Sequence, residues 1–374
     1  MFSQYQIFEQ SSFANEIGAA IHLCPNASRV LLRWGLDAEK ARFDVTQSGL
    51  TARANSLDPI YEADYHKIKT KYSAPWYLSH RVDLHNTLKD LATKDLGKGP
   101  AGTIRLRSKV VEIDPDSATV TLADGTSHNA DIIIAADGVH SRAVSKVIGH
   151  ENPAAPTGFS AFRFLIPTEE LLANEKTKHF LDGKEGQFKI FVGEGGDDWC
   201  TTLVEQWNIS AKTSDVLEEF RSFHSDLVAT MSKATDVKLW KLLYREPIPT
   251  WHRKRLLLIG DAAHPMLPHQ GQAGAQAIED GAAIGVLLSG LQVPPSPPPS
   301  ADLLRFDLNT EIERKLEAFE TVRRKRASLM QIFSNAGQDE AEKVREEAGN
   351  QAEFHEFNFG HDVLGESERV LGAL

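Results

Sequence analysis

One stretch constrains this chain more than any other: Leu257-Leu-Ile-Gly-Asp-Ala-Ala-His-Pro-Met-Leu-Pro-His-Gln-Gly-Gln-Ala-Gly-Ala-Gln-Ala-Ile-Glu-Asp280. The apolar run from Leu256 to Ile259 reads as a strand covered on both faces. Gly260 lets the backbone approach a ligand at the strand end, and Asp261 stands there as a hydrogen-bond acceptor. Pro265 and Pro268 stiffen the loop. Gly271, Gln272, Ala273 and Gly274 then open a helix whose free N–H groups carry partial positive charge. This order of elements predicts an α/β unit with a ligand crevice outside the carboxyl end of a parallel strand.

Two further segments end in the same way. Ile132-Ile-Ile-Ala-Ala136 is a continuous apolar run, predicted to be covered on both faces, and leads into Asp137-Gly138 and a helix-like stretch. Gln6-Ile-Phe-Glu9 reads as the end of a buried strand. One shared site accounts for all three more economically than three unrelated corners. Between them, Pro25 to Trp34 predicts a helix stopped by Gly35. Asp83 to Leu91 predicts another, with Leu84, Leu88 and Leu91 on one face. From Thr103 the period shortens to two, with a turn at Asp124-Gly125. Phe159 to Tyr244 holds short β-like runs and a helix from about Ser214 to Met231, which together predict an antiparallel sheet domain. Pro294 to Pro299 forms a stiff connection. Leu303 to about Asn335 reads as a long charged helix, and an acidic polar tail follows.

The 374 residues suggest about two to three domains. The net charge of −11 argues against a general phosphate-backbone binder. The single basic run, Arg323-Arg-Lys-Arg326, reads either as a solvated helix face or as internal ion pairs. No window approaches the ~20 apolar residues of a membrane span. Two cysteines, Cys24 and Cys200, give no disulfide framework, and no histidine spacing argues for a metal. A reducing, cytoplasmic setting is the expectation.

On these residues the chain resembles the flavin-dependent aromatic monooxygenases of the p-hydroxybenzoate and salicylate hydroxylase type. The Leu257–Asp280 stretch is similar to that family's Gly-Asp motif, in which the aspartate holds the ribityl chain and the following helix points at the flavin's pyrimidine edge. Asp131-Ile-Ile-Ile-Ala-Ala-Asp-Gly-Val-His-Ser141 resembles its Asp-Gly motif. His80-Arg81-Val-Asp-Leu84 resembles the segment whose arginine contacts the cofactor. Glu9 sits where the family places the acid for the adenosine ribose, and Ile17-Gly-Ala-Ala-Ile21, with Gly18 and Ala19, matches the segment after it.

The resemblance implies FAD-binding residues Glu9, Gly18, Ala19, Arg81, Asp137, Gly138, Gly260, Asp261, Pro268, Gly271, Gln272, Ala273 and Gly274. It implies an α/β fold: an incomplete Rossmann-like FAD-binding domain in two parts (1–155 and 251–292), an inserted antiparallel substrate domain (156–250), a Pro-rich connection (293–300) and a C-terminal helical region (301–374). It also implies FAD reduced by NADH or NADPH, dioxygen, and a small phenolic or related aromatic substrate. Arg163, mid-strand among Phe159, Phe162 and Phe164, is either the substrate-side cation or a structural arginine paired with an acid. His264 reads as a loop residue rather than an acid or base.

Departures from the family accompany the matches. The acid that Glu9 resembles lies ~20 residues beyond a Gly-x-Gly-x-x-Gly turn, and Glu9 has eight residues before it. The cluster Gly193-Glu-Gly-Gly-Asp197 is acidic and no substitute. The expectation is therefore a chain that starts beyond the phosphate loop. Ala273 replaces a frequent glycine and Val144 a frequent arginine. Two alternatives stay open: an inactive flavoprotein-like remnant, and a flavin-dependent reductase or dehydrogenase.

Overall fold

The computed structural model describes residues 4–13, 20–94, 100–181, 186–193, 208–291, 301–335 and 351–374. The elements that position the site are strand β1 (Gln6–Phe8), helices α1 (Pro25–Arg33) and α2 (Arg81–Thr93), strands β2 (Thr103–Arg105) and β3 (Ile133–Ala135) and helix α3 (Ala143–Ile148). They continue with strands β4 (Ala155–Leu165), β5 (Thr235–Tyr244) and β6 (Leu256–Leu258), then helices α4 (Ala273–Leu287), α5 (Ala301–Asn335), α6 (Gln351–Phe359) and α7 (Val363–Gly372). None of the described helices is long and apolar enough to cross a membrane.

Local chemistry explains most of these boundaries. Pro25 occupies the first turn of α1, where its missing N–H has no helical partner to lose. Gly35 adopts φ +89° after the last turn, as a left-handed stop requires. Helix α4 is rich in Ala, Gly and Ile and has buried residues on every side, from Ala275 through Ile278 and Ala282 to Leu287. A helix apolar all round belongs inside, and α1, α5 and α7 pack around it. Along α5 the buried positions Ile312, Leu316, Phe319, Val322, Met330 and Phe333 fall on one face.

Two parallel pairs carry the loops of interest: β1 with β2, and β3 with β6. Leu256, Leu257 and Leu258 are fully buried, as the apolar run predicts. The other two strands depart from expectation. Ile7 of β1 and Ile134 of β3 keep 41% and 40% of their surface. Among the described residues each strand is paired to a parallel neighbour on one edge only. Solvent therefore reaches side chains that a second neighbouring strand would flank.

In the middle of the chain β4 pairs antiparallel with β5, and β5 with Asn208–Ser210. The predicted single helix over 214–231 is two helices, Thr213–Glu219 and Ser225–Met231. The His224 ring restarts the second by accepting the Asp226 N–H. The hairpin of Ser48–Arg53 and Pro59–Asp64 is not anticipated by the sequence reading, and it pairs in parallel with Gln187–Val192. Gly49 permits that close approach, because a Cβ there would lie 2.9 Å from the Phe188 ring. The polar tail folds into α6 and α7, which bury Phe359, Val363 and Leu364. Residues 194–207 and 292–300, which hold Trp199, Trp207, Cys200 and the Pro-rich run, lie outside the described residues.

The basic run divides between the two readings, with Lys325 exposed to solvent. Arg323 and Arg326 point inward and are buried, while Arg324 pairs with Glu320 one turn earlier. Glu320 also ties α5 to the segment entering β6. Its Oε1 accepts from Thr250 Oγ1, the N–H groups of Trp251 and His252, and His252 Nδ1, at 2.6–3.0 Å. Burial pushes this carboxyl up, but the bonds from His252, Thr250 and Trp251 outweigh it and hold it at about 2. A folded value below the unfolded one stabilises the fold above pH ~4.5, and the contribution is lost as pH falls toward 2. Glu320→Gln is expected to lower neutral-pH stability by about 2 kcal/mol. It should also flatten the acid decline between pH ~4.5 and ~2, as read by urea titrations across that range.

Candidate functional site

Strand β6 delivers its backbone to the site through Gly260, which has φ +56°. A 3-10 turn over Gly260–Ala262 then sets Asp261 beside the sheet end. Asp261 keeps accessible surface, yet protein crowds it closely enough that burial raises its carboxyl above the ordinary range. His264, Arg245 and Arg81 pull the other way. Among the described residues no group hydrogen-bonds the Asp261 carboxyl.

Strand β3 delivers the second loop. Gly138 has φ +78°, and a Cβ there would meet nothing within 4 Å. One Asp137 oxygen accepts the N–H groups of Arg142 and Ala143, at 2.8 and 3.4 Å, and so holds the start of α3. Val144, where the resembled family often has arginine, is buried in the core.

Arg245, which the sequence reading missed, ties the two loops together. From just past β5 its Nη1 donates to the Ala262 carbonyl and its Nη2 to the Val139 carbonyl, both at 2.9 Å. Its own carbonyl accepts from Gln331 of α5 at 2.6 Å. Burial lowers the guanidinium's pKa, and the neighbouring charges of Asp137 and Asp261 raise it. A single arginine at a strand end carries no local signature, so only the tertiary fold reveals it.

The third wall is the start of α4. Pro268 begins a 3-10 turn, Gly271 adopts φ +60°, and Gln272 precedes the first helical residue, Ala273. The amides of Ala273, Gly274 and Ala275 have no acceptor among the described residues, as at any helix start. Strand Ala20–Leu23 runs across this start: Ile21 Cδ1 lies 2.9 Å from where a Gly274 Cβ would stand, and His22 touches the Gly271 position. That strand pairs with Tyr77–His80, which hands over to exposed Arg81 at the head of α2. Arg245 feels the charges of both Asp137 and Asp261, and Asp261 also feels that of Arg81, so these loops lie near one another at the sheet end.

Glu9 lies at the carboxyl end of β1, where its Oε1 accepts the Ser11 N–H at 2.6 Å. Phe13, just beyond, meets His85 of α2 with ring centroids 4.8 Å apart. Gly18 and Ala19 lie outside the described residues. On the sheet side, the half-buried Arg163 stands 4.7 Å from the Trp240 ring. Burial lowers its pKa and the charge of Arg81 lowers it further. No described carboxylate pairs with it, as the structural alternative would require. His264 is fully buried, 2.7 Å from Asp280 Oδ2 and against the Trp251 ring. It is therefore a loop anchor.

This donor set suits FAD at its ribityl and ring end. An unpartnered carboxylate can accept ligand hydroxyls, and free helix-start amides can face an electron-rich ring edge.

The FAD binding domain family matches residues 26–291. The chain is similar to the FAD-dependent monooxygenase phomE' of Diaporthe leptostromiformis, 38% identical over 98% of this chain and 97% of that protein. It is similar to hispidin-3-hydroxylase of Neonothopanus nambi, 28% identical over 99% and 90%. In fold it is similar to the crystal structure of CtdE in complex with FAD and a substrate, with TM-score 0.78 and 20% identity over 99% and 93%.

Arg245→Met would leave the Val139 and Ala262 carbonyls without their donor. A loss of about 3 kcal/mol is expected, with Arg245→Lys in between because it keeps the charge but not the fork. Denaturant titration of the two variants beside the native protein measures it.

Proposed function

The chain belongs to the FAD binding domain family and is an FAD-dependent monooxygenase. From that premise we propose that it hydroxylates a small phenolic or related aromatic compound at the cleft bounded by Asp261, Arg81 and Arg163, with NADH or NADPH as reductant. The observation that carries this reading is the Asp261 carboxylate. Protein crowds it, the charges of Arg245 and Arg81 act on it, and no hydrogen-bond partner meets it among the described residues. Hispidin-3-hydroxylase is by its name a hydroxylating enzyme, which supports hydroxylation as the reaction.

Bound FAD supplies the redox and oxygen chemistry, which belongs to the cofactor. Asp261 would accept from the ribityl hydroxyls. The amides of residues 273–275 would favour negative charge on the flavin ring. Arg81 and Arg245 would offset the Asp261 charge. Glu9 would hold the adenosine ribose, and Asp137 and Gly138 would line the flavin site. Arg163, steadied by Trp240, draws a phenol toward its phenolate, because a nearby cation favours the charged form. The substrate side is residues 156–250, and the buried free thiol of Cys24 is compatible with a reducing, cytoplasmic setting.

Asp261→Asn is expected to weaken FAD binding about tenfold or more while the fold persists, as measured by quenching of flavin fluorescence. Unchanged affinity would overturn the assignment. Arg163→Gln should raise the pKa of bound phenol, moving the acid limb of the kcat profile to higher pH. An unmoved limb would return Arg163 to a structural role. Oxygen from labelled dioxygen must appear in the product, and its absence would favour a dehydrogenase.

A further inference from the structure

Helix α5 lies outside the part of the chain that the family match covers. It nevertheless reaches the Gly260–Asp261 turn through one buried carboxylate. Asp280 Oδ2 accepts the Gly260 N–H at 2.9 Å and faces His264 Nε2 at 2.7 Å. Asp280 Oδ1 accepts Arg323 Nε at 2.9 Å. The rest of the Arg323 fork is committed to the same helix. Nη2 donates to the Gln276 carbonyl at 3.1 Å and to Gln276 Oε1 at 2.8 Å, and Nη1 donates to Glu279 Oε2. Asp280, His264, Gln276 and Arg323 have no exposed surface.

We propose that Arg323 is a positioning residue for the flavin site: it fixes the Asp280 carboxylate that holds Gly260 in its left-handed conformation and thereby aims Asp261 into the cleft. Without Arg323 the carboxylate would be a buried charge with only His264 and one amide facing it, and it would turn or take up a proton. Gly260 would then lose its fixed acceptor, and φ +56° would become one choice among several. Arg326 is a matched comparison. It lies on the same face of α5, but its bonds go to Glu279 and to the carbonyls of Phe357 and Asn358, away from the Gly260 turn.

The inference rests on the assignment of Asp261 to FAD, so its test contains that assignment as a separate arm. Arg323→Lys keeps the charge and loses the fork. FAD dissociation constants are measured for the native protein, Arg323→Lys, Asp261→Asn, the double variant and Arg326→Lys, with thermal midpoints of each without FAD. Arg323→Lys is expected to weaken FAD about ten- to a hundredfold. The loss should shrink to about twofold or less in the Asp261→Asn background, because the two act through one contact. Arg326→Lys should lower the midpoint comparably yet leave FAD affinity within about threefold. Full additivity, or native affinity in Arg323→Lys, overturns the positioning role. Native affinity in Asp261→Asn overturns the underlying assignment instead. If Arg323→Lys does not fold, Asp280→Glu, which keeps the charge but changes its reach to Gly260, enters the same cycle under the same criteria.

Discussion

Glu279 and Asp280 are consecutive, fully buried residues of α4, and two buried carboxylates side by side demand compensation. They receive it from two arginines one turn apart on α5. Asp280 is met by Arg323, Gly260 N–H and His264, while Glu279 is met by Arg323, Arg326 and Asn26 of α1. Burial pushes both carboxyls up. For Glu279, Arg326 and Arg323 bring it back below the ordinary range, and for Asp280, His264 and Arg323 do so. Two positive and two negative groups balance in the buried interior. Such a cluster stabilises little against an apolar isostere, but losing any one member leaves an uncompensated charge. Its Asp280–Arg323 half fixes how α4 and α5 meet the loop after β6, and its Glu279–Arg326 half fixes how α1, α4 and α6 meet.

The consequences run outward from that cluster. Arg326 continues to the carbonyls at the end of α6, and Arg29 of α1 holds the neighbouring carbonyls of Phe359 and His361. The polar C-terminal region is thus held by guanidinium-to-carbonyl bonds as well as by Val363 and Leu364. In the other direction Asn26 and Gln276 reach Gln272, the residue just before the start of α4. The helix start that faces the cleft is anchored from behind by the same buried polar groups.

What the sequence made legible was local. Gly260, the proline-stiffened loop, Gly271 and the start of α4 are encoded by residues adjacent in the chain, and so are α1 and α2 with their stop signals and periodicity. Relations between distant segments were not encoded that way. Arg323 and Arg326 read equally well as surface or interior, because a charged residue takes its setting from what packs against it. Arg245 has no pattern around it at all. The 48–64 hairpin mixes small and polar residues, and its strand character comes from pairing with Gln187–Val192. The apolar runs of β1 and β3 gave their strand type correctly but overstated their burial, since coverage depends on neighbours that a run of three or four residues does not specify.

The cleft itself is assembled at some cost to the chain. Burial disfavours the charged form of Asp261, while Arg81 and Arg163 disfavour one another across the site. Both tensions point in a useful direction. On the proposed function, hydroxyl groups delivered to Asp261 would replace the solvation that crowding removed, and an anion near Arg163 and Arg81 would turn repulsion between two cations into attraction toward one guest. The interior cluster around Asp280 is closed and satisfied, whereas the cleft a few residues away is open and unsatisfied. A site that must bind needs that contrast: its frame holds still because its charges are matched, and its mouth attracts because its charges are not.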